Sequence, residues 1–148
     1  MTMKSGSSNY RMDVPTAGRS AAWAGIVAIA FFLIMGVLDI RQANELAFVF
    51  AIIAGWMYAT HIYKKIIPSY LEAAGGGALS GAIYAVLVAI VGLLLAQILS
   101  DSGSLARALR DLTATYSMDD LANQVVTSAL LGALGGAGVV LLRTQKID

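Results

Sequence analysis

The chain has 148 residues, 58% hydrophobic and only 13% charged, with a net charge of +1, 15 glycines, one histidine and no cysteine. A soluble domain carries roughly a quarter of its residues as charged groups, so this composition excludes a disordered chain, a nucleic-acid-binding arm and an ordinary soluble enzyme. It makes lipid the expected solvent for most of the chain, and the missing cysteines exclude disulfides and thiol catalysis.

Residues 1–19 are mostly polar, carry Lys4, Arg11 and Arg19, and read as an N-terminal tail. The apolar run that follows is too long for a cleaved signal sequence, whose apolar stretch is about 7–15 residues. Its exit, Gly36-Val37-Leu38-Asp39, has no small-x-small cleavage site. It is therefore expected to be retained as a first span, about 20–40.

Four stretches lack Asp, Glu, Lys and Arg altogether: residues 20–38, 46–63, 73–99 and 121–142. Together they hold 86 residues, so all 19 formal charges fall in the remainder. Each is close to the ~20 residues a helix needs to cross a hydrocarbon core of ~30 Å. None alternates in polarity as a barrel strand does. Backbone amides in lipid must be paired within the segment, which leaves helices. The expected fold is all-α, an integral membrane four-helix bundle of two antiparallel hairpins. Its transmembrane domain covers 20–142, with spans at about 20–40, 46–67, 77–99 and 119–142, and a tail at 143–148.

The first link is short, which favours a tight hairpin between spans one and two. Lys64 and Lys65 end span two with stems long enough to reach headgroups, and Pro68 stops the helix or starts the next segment. The Gly75-Gly76-Gly77 run is expected to break or loosen the entry to span three. In the third link Leu105, Leu109, Leu112 and Tyr116 fall on one helical face. A short amphipathic helix on the membrane surface is expected there, at about 104–116. Ser117 and Asp120 have the spacing of a capping box for the last helix.

Charge sorts by side. Lys4, Arg11, Arg19, Lys64, Lys65, Arg143 and Lys146 fall on one side. Only Arg41, Arg107 and Arg110 fall on the other, with Asp39, Glu45, Asp101, Asp111, Asp119 and Asp120. Lys and Arg are held on the cytoplasmic side, so both termini are expected there, in a plasma membrane of bacterial or archaeal type.

Small residues recur every fourth position: Ala47, Ala51, Gly55 and Ala59 in span two; Gly77, Gly81, Ala85 and Ala89 in span three; Ser128, Gly132 and Gly136 in span four. Such stripes let helix backbones approach closely. They serve either packing inside the bundle or docking of another chain, and both uses are compatible. His61, near the inner end of span two, reads first as an interfacial imidazole. Its functional alternative is an axial ligand to haem or a pigment, or a proton relay. The Gly75–Gly77 run lacks the GK[ST] of a phosphate loop. No catalytic set can be assembled, so no enzyme activity and no resident cofactor are expected. The expected role is a non-catalytic structural or accessory subunit of a membrane complex, with the bilayer and other membrane subunits or further copies as partners and no nucleic acid. The alternative is a small homo-oligomeric channel or transporter with a glycine-lined path; a haem or pigment carrier through His61 is a third reading.

Overall fold

The computed structural model describes residues 12–38, 46–65, 67–98 and 118–145. They form four helices: α1 (Val14–Val37), α2 (Ala47–Tyr63), α3 (Tyr70–Ile98) and α4 (Met118–Thr144). Three of them, α1, α3 and α4, are long and apolar enough to cross a membrane. The amphipathic helix expected at 104–116, the first link and the Ser117 cap lie outside the described residues.

Helix α1 begins six residues before the expected start of span one, which shortens the polar tail. The cause is local: Asp13 is the N-cap and its carboxylate accepts the Thr16 amide at 3.1 Å. Pro15 occupies the first turn, where its missing N–H costs nothing. Arg19 then sits on an exposed position of the first turns without interrupting the helix.

Helix α2 is shorter than the expected 46–67, at 17 residues, or about 25 Å of rise. Its end tightens into i→i+3 bonds, with the Lys64 amide on the His61 carbonyl (3.3 Å) and that of Lys65 on Ile62 (2.8 Å). A buried Pro68 follows in non-helical chain. Among the described residues, three helices are thus full-length span candidates and α2 is a shorter apolar helix.

Helix α3 corrects a second expectation. It starts at Tyr70, not at about 77, and runs unbroken through Gly75, Gly76 and Gly77. A reciprocal capping box starts it. The Glu72 carboxylate accepts the Ser69 amide at 2.8 Å, and the Ser69 hydroxyl accepts the Glu72 amide at 3.3 Å. Intrinsic propensity disfavours three consecutive glycines in a helix by about 0.8–1.0 kcal/mol each. Packing overrides it, because the glycine faces receive neighbouring groups, as described below.

The interior is built from small residues. Ala17, Ala21, Ala24 and Ala28 are buried along α1, Ala47, Ala51, Ala54 and Ala59 along α2, and Ala73 and Ala85 on α3. Larger groups enter the core at few places. Phe31, Phe32 and Phe50 cluster between α1 and α2 with ring centroids 5.5–6.2 Å apart. Large aliphatic and aromatic side chains instead turn outward: Trp23 and Ile34 on α1, Ile53 and Trp56 on α2, Leu93 and Leu94 on α3, Leu130 and Leu134 on α4. Small-inside and large-outside inverts the order of a water-soluble core, whose surface rarely carries apolar patches beyond a few hundred Å². The arrangement fits a membrane-spanning helical bundle.

Candidate functional site: a glycine junction between three helices

Among the described residues, helices α3 and α4 share the most extensive contact, followed by α2 with α4. The α3–α4 contact is made by backbone. Gly81 faces the Ser128 carbonyl, Gly77 faces Gly132, and Gly136 faces the Ala73 carbonyl. The two helices therefore run against each other in matched four-residue steps. A methyl group on Gly81 would lie 2.9 Å from the Ser128 carbonyl carbon and 3.2 Å from Gly132 Cα. No rotamer change can relieve such overlap, since the obstructing atoms are main chain.

Gly132 is where α2 joins them. Its carbonyl lies against both Gly55 of α2 and Gly77 of α3, so a Cβ at either position would overlap it. One turn on, Gly135 packs on the Ile52 carbonyl and comes within 3.1 Å of the Trp56 amide nitrogen, measured from an added Cβ. Backbones this close gain dispersion along their length, and their Cα–H groups can reach facing carbonyls.

A second face of α3 meets α1 and α2. Gly76 leaves room for the Tyr58 ring, which an alanine methyl would penetrate. Four residues on, the buried Ser80 hydroxyl lies 3.1 Å from the Ala54 carbonyl and 3.3 Å from that of Ala17. One proton thus ties three helices together. The next residue in the register, Tyr84, donates to the Ala47 carbonyl at 3.0 Å. Val88 completes the face and approaches Gly25 of α1.

Each small residue singled out by spacing is buried: Ala47, Ala51, Gly55 and Ala59 on α2, Gly77, Gly81, Ala85 and Ala89 on α3, and Ser128, Gly132 and Gly136 on α4. Ala59 joins Ala73, Val139 and Val140 in one cluster. His61 is set apart from them. It is exposed, and its Nδ1–H donates to the Met57 carbonyl at 2.8 Å. Only Nε2 is left to meet a ligand, from outside the bundle.

Sequence reasoning missed the Gly76–Ser80–Tyr84–Val88 face, Gly135 and most of the α1 alanines. The signal was present in the same four-residue period, one position away from the Gly77–Gly81 stripe. Two hydroxyls inside an uncharged run, Ser80 and Tyr84, also required partners by the ordinary cost of burying polar groups.

At the end where α2 and α4 terminate, the contacts become polar. The Arg143 guanidinium lies over the Tyr63 ring, 4.8 Å from its centroid. The Tyr70 and Thr144 hydroxyls are 3.2 Å apart. Lys65 pairs with Asp13 at 3.0 Å. Asp13 titrates below the usual carboxylate range, chiefly through hydrogen bonding from the Thr16 side chain, then from Lys65 and the Thr16 amide. Comparison with protein-family models, curated proteins and solved structures finds no match to this chain.

Proposed function

We propose that the chain is a non-catalytic, multi-pass membrane protein acting as a structural or accessory subunit of a larger membrane assembly. In this reading α1 with α2 and α3 with α4 are two antiparallel hairpins, and both termini face the cytoplasm. The observation that carries the reading is what two buried hydroxyls and the glycine backbones are used for. The Ser80 and Tyr84 hydroxyls are spent on backbone carbonyls, and backbone contact fills the α2–α3–α4 junction at Gly55, Gly77 and Gly132. Groups committed to holding helices together are not available to bind or move a solute. A membrane ion or proton pathway ordinarily keeps an ionisable residue facing its cavity.

The same contacts shape what a partner would meet. The small-residue stripes are occupied within the chain, so a partner docks on the outward apolar faces. A glycine-lined channel has little support along the α3–α4 seam, where main chains touch. Isolation from the native membrane in mild detergent, with every co-isolated chain identified, tests the proposal. A fixed partner supports it; a lone chain that conducts ions in liposomes replaces it with the channel reading. Visible absorption removed by His61→Ala would replace it with the pigment reading.

A further inference from the structure

Four basic side chains among the described residues lie at the end of the bundle where α1 and α3 begin and α2 and α4 finish: Arg19, Lys64, Lys65 and Arg143. Two carboxylates among the described residues share that end, Asp13 and Glu72. Both are engaged: Asp13 holds Lys65, and Glu72 caps the start of α3. Lys64 and Arg143 are exposed, and no carboxylate among the described residues lies within ion-pair distance of either.

The placement of Arg143 is not that of a free surface charge. Arg143 is held by its stack on Tyr63, and Lys64 follows Tyr63 directly in the chain. Thr144, beside Arg143, is fixed by the Tyr70 hydroxyl and by its own bonds to the Val140 and Leu141 carbonyls. Two tyrosines thus fix the end of α4, and the Arg143 guanidinium and the exposed residue Lys64 lie at the level where the apolar faces of α2 and α4 stop. Large apolar groups, Leu141 and Leu142, lie exposed immediately below. A ligand suited to this place has an anionic head and an acyl body.

We propose that Lys64 and Arg143 form a binding site for the phosphate headgroup of an anionic phospholipid at the α2–α4 edge. The site rests on the membrane reading above. Arg supplies a planar fork for two phosphate oxygens, already oriented by Tyr63, and Lys adds a mobile point charge. Basic groups between helix ends are a recurrent headgroup-binding arrangement, and each charge near an anionic surface strengthens binding about fivefold.

The test reconstitutes the full chain into vesicles of equal phosphatidylglycerol and phosphatidylcholine, then weighs the released chain intact with its retained lipids. Wild type is expected to retain phosphatidylglycerol preferentially. The preference should fall about fivefold in Lys64→Gln or Arg143→Gln and about 25-fold in the double variant. The paired control Asp13→Asn with Lys65→Gln removes the neutral ion pair at the same end without changing net charge, and should leave the preference unchanged. Circular dichroism checks that each variant stays helical. Equal loss in that paired control, or retention unchanged in the Lys64→Gln/Arg143→Gln variant, overturns the site while leaving the membrane reading intact. So does competition by free inorganic phosphate as effective as by phosphatidylglycerol. A chain that fails to integrate into the vesicles overturns both.

Discussion

Replacing Gly132 with alanine puts a methyl group against the Gly77 carbonyl, 3.0 Å from Gly81 Cα and 3.1 Å from the Gly77 carbonyl carbon. All three are main-chain atoms of α3, so the helices themselves must separate. Ordinary carbon contacts fall at about 3.5–4.0 Å, which requires roughly 0.5–1 Å of movement. A gap of that size forfeits a quarter to a half of the dispersion at each facing contact. Overpacking of this kind costs about 1–3 kcal/mol, against a helix-propensity gain for alanine of about 0.8–1.0 kcal/mol. Packing wins over most of that range, with a net loss of up to about 2 kcal/mol. Two controls isolate the cause. Gly18 has nothing within 4 Å of an added Cβ, and Gly25 meets only Val88 at 3.8 Å. Their alanine variants should be neutral or stabilised by up to about 1 kcal/mol. The assay is reversible unfolding of the purified chain in mixed micelles with increasing denaturing detergent, followed by helical circular dichroism. Gly132→Ala as stable as wild type, or Gly18→Ala as damaged as Gly132→Ala, would refute the backbone-contact reasoning.

Three further outcomes follow from other contacts. Ser80→Ala removes the hydroxyl shared by the Ala17 and Ala54 carbonyls; a loss of about 0.6–1.7 kcal/mol is expected in the same unfolding assay, and no loss would show the bridge to be idle. Gly76→Ala drives a methyl into the Tyr58 ring and should perturb the near-ultraviolet dichroism of the tyrosines, whereas an unchanged spectrum would mean that the ring moves aside freely. Asp13 is held ionised by Thr16 and Lys65, so its contribution is present above the unfolded carboxylate pKa of about 3.9 and disappears as pH falls through its lower folded value. The stability difference between wild type and Asp13→Asn should therefore shrink toward zero below about pH 4; a difference that stays constant from pH 7 to pH 3 would rule out this linkage.

The helices were legible because charge and four-residue spacing are signals that a single chain carries directly. Spacing alone picked out Gly77, Gly81 and Gly132, since only residues without bulk permit close backbone approach. Element ends were less legible. A count of charges placed the start of α1 after Arg19, yet an exposed Arg interrupts nothing, and the decisive groups are the Asp13 cap and Pro15. Local propensity misread Gly75–Gly77 as a break. What keeps that segment helical is the Tyr58 ring on one face and α4 on the other, long-range contacts that no short window of sequence contains. The use of the stripes was also hidden: spacing cannot distinguish a face that closes its own bundle from one that docks another chain.

Membrane topology is the most direct test, because lipid as solvent underlies every other inference. The chain has no cysteine, so a single introduced thiol reports one position. Leu46 and Asp120 lie at the starts of α2 and α4, Lys64 and Gln145 just past their ends, and all four are exposed. In intact cells a membrane-impermeant maleimide should label Leu46→Cys and Asp120→Cys, and should reach Lys64→Cys and Gln145→Cys only after permeabilisation. Labelling of Leu46→Cys and Lys64→Cys from the same side would contradict a membrane-crossing α2 and with it the four-helix membrane bundle.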